Sequence, residues 1–332
     1  MRILYAFQGT GNGHHARAQE FVPILKTLGE VDVWVSGGAT NKKYEVPVDR
    51  QLRGVGFSFG TKGGISIGET VRQLRPVQAL RDITRGGLTP YDLVFNDFEP
   101  ISAWAARWQG VPVVGVSHQI AVHHPASPKP TKVDSLGMGV LKHYAPCSHP
   151  LGFHFQRYAP DIHTPVIRSS VREVPVSDEG HVVVYLPAYS EARIVKVLDQ
   201  MPKQSWWVFS NRCAKPSTHR NIHVEPTSSQ GFLRCMASAK GVLCGAGFET
   251  PSEALHLGKS LMVVPMHGQF EQQCNAAALA QMGVPVLPFF DDSRVPDLRE
   301  WVNQGPCVEV DYPDDSRDIL TRAAEICLGS TR

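Results

Sequence analysis

The stretch Val242-Leu243-Cys244-Gly245-Ala246-Gly247-Phe248-Glu249-Thr250-Pro251-Ser252-Glu253-Ala254-Leu255 decides the fold class. An apolar, β-type run ends in Gly-Ala-Gly and gives way at once to a helical pattern. Thr250 stands where an N-cap belongs, Pro251 at the first helical position and Glu253 three residues after the cap, so the spacing predicts a capping box. The free backbone N–H groups of such a terminus attract anions, a diphosphate among them. Capping alone would account for Glu253 without a ligand. The glycines ask for more, because they let another group approach the backbone closely.

Reading onward, Gly258 ends the helix and Leu261–Pro265 is a second apolar run. Met266-His267-Gly268-Gln269-Phe270-Glu271-Gln272-Gln273-Cys274-Asn275-Ala276 then crowds polar side chains at a strand-to-helix junction. A carboxylate beside a carboxamide offers both acceptors and donors, which suits sugar hydroxyls. A helix start enriched in Glu and Gln is the plainer reading.

The same unit recurs along the chain. Arg2–Phe7, Val31–Ser36, Tyr91–Asn96 and Val111–Ser117 read as strands in the first half. His181–Pro187, Ser205–Ser210, Gly241–Cys244, Leu261–Pro265 and Val284–Pro288 read as strands in the second. Several are apolar throughout, as strands covered on both faces are. Helical patterns intervene at Ala16–Leu28, Ile101–Trp108 and Ser252–Leu257. This alternation predicts an α/β protein with doubly wound parallel sheets. The pattern lapses between about Ile120 and Pro175, and Thr164–Val176, with Pro165 and Pro175, reads as an extended connection. The expected division is a first domain over 1–168 and a second over 169–332, with the terminal helix Arg317–Leu328 capping one or the other.

With 332 residues there is chain enough for two such cores. A net charge of +2 gives no global field that would point to nucleic acid or a membrane. No apolar run approaches the roughly 20 residues needed to span a bilayer. Met1–Phe7 enters a strand directly, without the features of a signal peptide. The seven cysteines are scattered and form no C-x-x-C pair, which fits a reduced, cytoplasmic chain without structural zinc.

The first strand runs into Phe7-Gln8-Gly9-Thr10-Gly11-Asn12-Gly13-His14-His15. Ligands of open α/β sheets sit beyond the carboxyl ends of the strands, where this turn lies. A helix N-terminus disfavours protonation of a nearby His, and a neutral imidazole is what a general base needs. The dinucleotide fingerprint is not met: no small residue fills the expected third position, and Ser36-Gly37-Gly38 stands where the second strand should end in an acid. A plain nucleotide-binding or tight βα turn remains the alternative. Asp97 ends the strand Tyr91–Asn96 at the same expected sheet edge, as partner of His14 or as an N-cap of the helix after Pro100. His118, at the end of the next strand, is expected to contact substrate or phosphate, or to serve structure. His118, His123 and His124 have no carboxylate or Cys at ligand spacing, so no metal is assigned.

These two blocks resemble the GT-B UDP-sugar glycosyltransferases, with the lipid-linked N-acetylglucosaminyltransferase of peptidoglycan synthesis and the plant and animal UDP-glycosyltransferases as nearer kin. The whole chain is similar to bacterial glycosyltransferase-like proteins that share the Q-G-T-G-N-G-H opening and the C-G-A-G-F-E-T-P-S-E-A-L block. The resemblance implies two Rossmann-like domains facing across a cleft. It implies a base or acceptor-site role for His14, with Asp97 its partner, and puts Gly11, Asn12 and Gly13 at the acceptor or phosphate. Gly245, Ala246, Gly247 and the backbone of Phe248, Glu249 and Thr250 match the diphosphate cradle. Glu253 matches the ribose-binding carboxylate, Glu271 and Gln272 the pair that holds the donor sugar, and Ser190, in Ala188-Tyr189-Ser190, a further phosphate contact. Two departures stand out: the Trp-rich stacking motif of the plant enzymes is missing, and Leu186-Pro187-Ala188-Tyr189 lacks Gly and Ser.

The expected activity is therefore transfer of a sugar, as a hexosyltransferase, from a nucleotide sugar (a UDP-sugar) to a hydroxyl acceptor, inverting, in cell-envelope or glycoconjugate synthesis. No cofactor and no obligatory metal are expected, since no Asp-x-Asp stands at a strand end. A nucleotide-sugar 2-epimerase and a non-catalytic nucleotide-sugar-binding subunit are the alternatives. The acceptor is open, lipid-linked or glycan, and no nucleic acid is expected. Arg53, Lys62, Arg72, Arg75, Arg81 and Arg85 outnumber Glu69 and Asp82 in Gln51–Gly87, with Gly54, Phe57, Phe59 and Ile65 among them. A solvated basic helix is the first reading of that segment. A face for an anionic lipid at the inner membrane surface is the second.

Overall fold

The computed structural model describes residues 1–11, 13–37, 44–52, 81–84 and 87–329. Asn12 and the basic segment's Arg53, Gly54, Phe57, Phe59, Lys62, Ile65, Glu69, Arg72, Arg75 and Arg85 lie outside the described residues.

The first half builds a seven-stranded sheet in the order β3-β2-β1-β4-β5-β6-β7, parallel throughout. The strands are β1 (Arg2–Gln8), β2 (Glu30–Ser36), β3 (Arg50–Leu52), β4 (Leu93–Asp97), β5 (Val113–Ser117), β6 (His149–Phe153) and β7 (Ile162–His163). In β1, Ile3 to Phe7 are wholly buried, because helices cover both faces of a central parallel strand. The helices are α1 (Gly13–Lys26), α2 (Pro100–Gln109), α3 (His118–His123) and α4 (Ser135–His143). The register pairs Gln8 with Ser36 and Phe7 with Asp97. The turn after β1 and the end of β4 therefore open on one edge. Between Ile120 and Pro175 the sequence pattern lapses, yet the sheet continues through β6 and β7.

The second sheet has six strands in the order β10-β11-β9-β8-β12-β13. They are β8 (Val182–Tyr185), β9 (Trp206–Ser210), β10 (Ser217–His219), β11 (Ile222–Pro226), β12 (Gly241–Gly245) and β13 (Ser260–Val264). All pair in parallel except the edge strand β10. The strand expected over Val284–Pro288 is reduced to one bridge, Val263 with Val286. Pro285 and Pro288 have no N–H to give to a ladder. Connecting helices are α5 (Ser169–Glu173), α6 (Glu191–Leu198), α7 (Ser229–Ala237), α8 (Glu249–His256), α9 (Phe270–Gln281), α10 (Val295–Gln304) and α11 (Ser316–Gly329). The connection expected to be extended holds the short α5.

One apolar core reaches from the first sheet to the second. Tyr5, Phe7, Phe153 and Phe155 belong to it together with Val242, Cys244 and Phe248. Phe155 meets Phe248 with ring centroids 5.2 Å apart. Burying Phe248 contributes about 1.5–3 kcal/mol to this contact. The terminal helix α11 packs on α1, β4 and β5 of the first sheet, and Arg317 Nη1 donates to Thr27 Oγ1 at 3.1 Å. The chain thus crosses between the sheets twice, after β7 and before α11. No helix among the described residues is long and apolar enough to cross a membrane. None of the seven cysteines is disulfide-bonded.

Candidate active site

His14 is the second residue of α1, one turn before Arg17 on the same face. Its Nδ1 lies 2.8 Å from Asp97 Oδ1. Arg17 clamps the same carboxylate, Nε to Oδ2 at 2.9 Å and Nη2 to Oδ1 at 3.0 Å. His14, Arg17 and Asp97 are 7%, 3% and 0% exposed, so the contacts are shielded from water. Arg17 Nη2 is also 3.1 Å from His14 Nδ1. The arrangement is consistent when both nitrogens donate to the one Asp97 oxygen. That tautomer leaves His14 Nε2 unprotonated, and Nε2 has no hydrogen bond among the described residues. Burial opposes ionisation of Asp97, but Arg17 and His14 together hold its carboxyl down to about 2. Burial likewise works against the Arg17 charge, and Asp97 and Glu249 outweigh it, raising Arg17 above its ordinary value.

The alternative role for Asp97, an N-cap, is taken by Glu99. Its carboxylate accepts from Ile101 N at 2.8 Å and Ser102 N at 2.6 Å, at the start of α2. Between them Phe98 adopts φ 57°, a left-handed conformation that costs a bulky residue energy. Its ring lies parallel to His14 at 6.4 Å and against Tyr144 at 4.7 Å.

Helix α8 faces this group from the second sheet. It begins at Glu249 after Phe248, which gives no side-chain cap. The expected capping box is therefore not formed: Thr250 and Pro251 are the second and third helical residues, where a missing proline N–H costs nothing. Glu253 turns instead to Arg168, which donates from Nε at 2.6 Å and Nη2 at 2.9 Å. Glu249 Oε1 accepts from Arg17 Nη1 at 2.6 Å, across the two halves. Burial, with Glu253 and Asp97 near, pushes the Glu249 carboxyl up to about 7 against the pull of Arg17.

A cavity of about 480 Å³ opens here, lined from the first half by His15 and Gln19 and from the second by Tyr185, Ser228, Phe232, Thr250, Glu249 and Glu253, with Arg168 at the connection. Ser228 also caps α7 by accepting from Gly231 N. A Cβ on Gly247 would meet no atom within 4 Å, and one on Gly245 only ordinary contacts. Ala246 O accepts from Asn275 Nδ2 at 3.1 Å.

The remaining expected site residues lie apart from that cavity. Glu271 Oε2 accepts from Gln119 Nε2 at 3.2 Å, joining α9 to α3. Gln272 Oε1 accepts from Met266 N at 2.9 Å. Exposed Ser190 is the N-cap of α6, bonded to Arg193 N. Gly11 has φ 88°, which a turn built on glycine accommodates. His118 is engaged by contacts within the protein. It is 1% exposed, its Nδ1 meets Phe153 O at 2.7 Å and its Nε2 meets Asn275 Oδ1 at 2.8 Å. Its ring stacks on Phe248 at 3.8 Å, so one face and both nitrogens are engaged within the protein. Sequence reasoning missed Arg17, Arg168 and Gln119. Only for Arg17 was there a signal, its helical spacing from His14.

Two sheets, parallel but for one edge strand, with a cleft site between them give the GT-B architecture. The family profile described as "Glycosyl transferase family 1" matches residues 1–302, and the chain belongs to that family. In sequence, no curated protein matches it. In structure it is similar to the glycotransferase of kitacinnamycin, with TM-score 0.60 and 14% identity over 98% of this chain and 95% of that one. SnogD from Streptomyces nogalater gives 0.57 and 14% over 97% and 99%. Phytolacca americana UGT2, complexed with UDP-2fluoro-glucose and pterostilbene, gives 0.60 and 13% over 98% and 95%.

Proposed function

We propose that this glycosyltransferase uses His14 as the base that activates an acceptor hydroxyl, and takes the sugar from a nucleotide donor, a UDP-sugar, held by the second half. The observation that carries the reading is the buried His14–Asp97 pair at 2.8 Å, with Nε2 left to receive a proton. The donor nucleotide fits the 480 Å³ cavity beside Glu253, whose carboxylate has lone pairs beyond those given to Arg168 and can accept ribose hydroxyls. The diphosphate would sit at the N-terminus of α8, where partial positive charge favours it and its departure. Glu271 and Gln272 would meet the sugar where the donor extends beyond that cavity. The acceptor oxygen attacks the anomeric carbon opposite the leaving diphosphate and inverts that carbon, while its proton passes to His14 Nε2. The UDP-2fluoro-glucose complexed with Phytolacca americana UGT2 supports the donor class.

The test is UDP release from UDP-glucose and other UDP-sugars with a panel of phenolic and alcoholic acceptors. His14→Ala is expected to lose roughly 10²–10⁴-fold in transfer with UDP affinity little changed. Asp97→Asn should also slow transfer, because the imidazolium loses its partner. Wild-type transfer by His14→Ala would remove His14 from the chemistry.

A further inference from the structure

A buried arginine beside a general base needs a reason. Arg17 spends all three of its nitrogens in the site: Nε and Nη2 on Asp97, Nη1 on Glu249. Two of these bonds stay within the first half and the third crosses to the first residue of α8, the helix whose N-terminus faces the donor. We propose that Arg17 is a positioning residue for the His14–Asp97 pair, and that Glu249 holds it in place from the opposite half. The inference rests on the reading of His14 as the base.

The physical case has two parts. First, an Asp paired only with a His puts its whole charge on the imidazole and favours the protonated ring, which cannot act as a base. The guanidinium shares Oδ1 with His14 Nδ1 and neutralises Asp97, so the carboxylate keeps its hold on the ring's orientation while favouring its protonation less. Second, the planar fork fixes Asp97 by both oxygens, which a single ammonium cannot do. The position of Asp97 sets that of His14 Nε2, so the fork aims the base. Because Nη1 is bound to Glu249, the fork sits in this place when α8 lies against α1. A Cβ on Gly13 would already meet Glu249 Oε1 at 2.7 Å, so the two halves are in close contact at this point. Among the described residues, the charged groups in this cluster are Asp97 from β4 and Arg17 from α1, both in contact with His14, and Glu249 from α8, in contact with Arg17. Tyr5 on β1 is a further titratable neighbour of Asp97 and Arg17.

The test uses the full chain and needs no knowledge of the natural acceptor. The His14 ring is titrated by two-dimensional NMR, its signal assigned by its loss in His14→Asn. In Arg17→Gln the midpoint is expected to lie above that of the wild type, since one opposite charge then acts alone. In Arg17→Lys the charge stays and the fork is lost. The midpoint should remain near that of the wild type, while transfer from UDP-glucose falls about tenfold or more from misalignment of the base, with UDP affinity unchanged. Glu249→Ala removes the acceptor that holds Arg17 Nη1 and should lower transfer from UDP-glucose about threefold or more, by loosening the fork that aims the base. Should Arg17→Gln fail to fold, Arg17→Lys decides. An unmoved midpoint in a folded Arg17→Gln, or wild-type turnover in Arg17→Lys, overturns the role of Arg17. Wild-type turnover in a folded Glu249→Ala overturns the link across the cleft. The base assignment fails separately: His14→Ala would then transfer sugar normally, whereas an inactive His14→Ala with wild-type-like Arg17 variants refutes only this inference.

Discussion

Replacing Gly13 by Ala tests the contact between the two halves at its tightest point. The added Cβ would lie 2.7 Å from Glu249 Oε1 and 2.9 Å from its Cγ. Carbon atoms pack at about 3.5–4.0 Å, so Glu249 must retreat by the better part of an ångström. The Cγ is close to the helix backbone, and it moves that far only if the side chain changes rotamer and gives up the 2.6 Å bond from Arg17. A hydrogen bond between charged groups contributes about 1.5–3 kcal/mol. Against this, Ala is favoured over Gly in a helix by about 0.8–1.0 kcal/mol, and by less at the first helical residue. The φ of Gly13 is not in the left-handed region, so Ala meets no backbone strain. The expected net cost is about 1–2 kcal/mol, read as a lower urea midpoint or thermal transition. The decisive measurement is the same substitution in a Glu249→Ala background. With the obstructing side chain gone, Gly13→Ala should be neutral or stabilising by up to about 1 kcal/mol. An equal penalty in both backgrounds would refute the argument and place the need for glycine in the turn itself.

Glu253→Gln removes charge-assisted bonds, and UDP affinity by calorimetry should fall at least about tenfold; unchanged affinity would remove Glu253 from the donor site. Glu99→Ala strips the cap of α2 and the bond from Ser36 Oγ inside a fully buried site, and should cost about 2–3 kcal/mol in urea unfolding. A loss under about 0.5 kcal/mol would mean that water replaces the cap without penalty. Asp97, held down to about 2, should give an acid dependence of stability. Its contribution is complete above the ordinary carboxylate range near 3.9 and is lost as pH falls toward 2. Asp97→Asn should flatten the wild-type slope over that window, and parallel curves would contradict the assignment.

The two sheets were legible because β1, β5, β12 and β13 are short, mostly apolar runs, and burial on both faces demands that pattern. The β6 strand, His149-Pro150-Leu151-Gly152-Phe153, was not. Its proline, glycine and histidine deny it a strand signature, and pairing with β5 makes it a strand. The start of α8 was misread for a related reason. Thr250 has the right neighbours for a cap, but Phe248 is fixed by stacking on His118 from the other half, and the helix begins directly after it. The His14–Asp97 pair could be anticipated from two strand ends on one sheet edge. For Arg17 the sequence offered only its helical spacing from His14, and an arginine on a helix reads as solvent-exposed until a partner 232 positions away is placed beside it.

The double crossing of the chain bears on how halves of such enzymes can be exchanged. A single cut at the connection near Arg168 would sever α11 from the face of α1, β4 and β5 that it covers. Leu320, Ala323, Ala324 and Cys327, all buried, would leave with it and strip apolar cover from the first half. A working chimera needs two junctions, one in the connection and one between α10 and α11, so that the tail travels with the half it shields. Grafts of the second half that respect both junctions should stay soluble, and those made at one junction should expose a hydrophobic groove and aggregate.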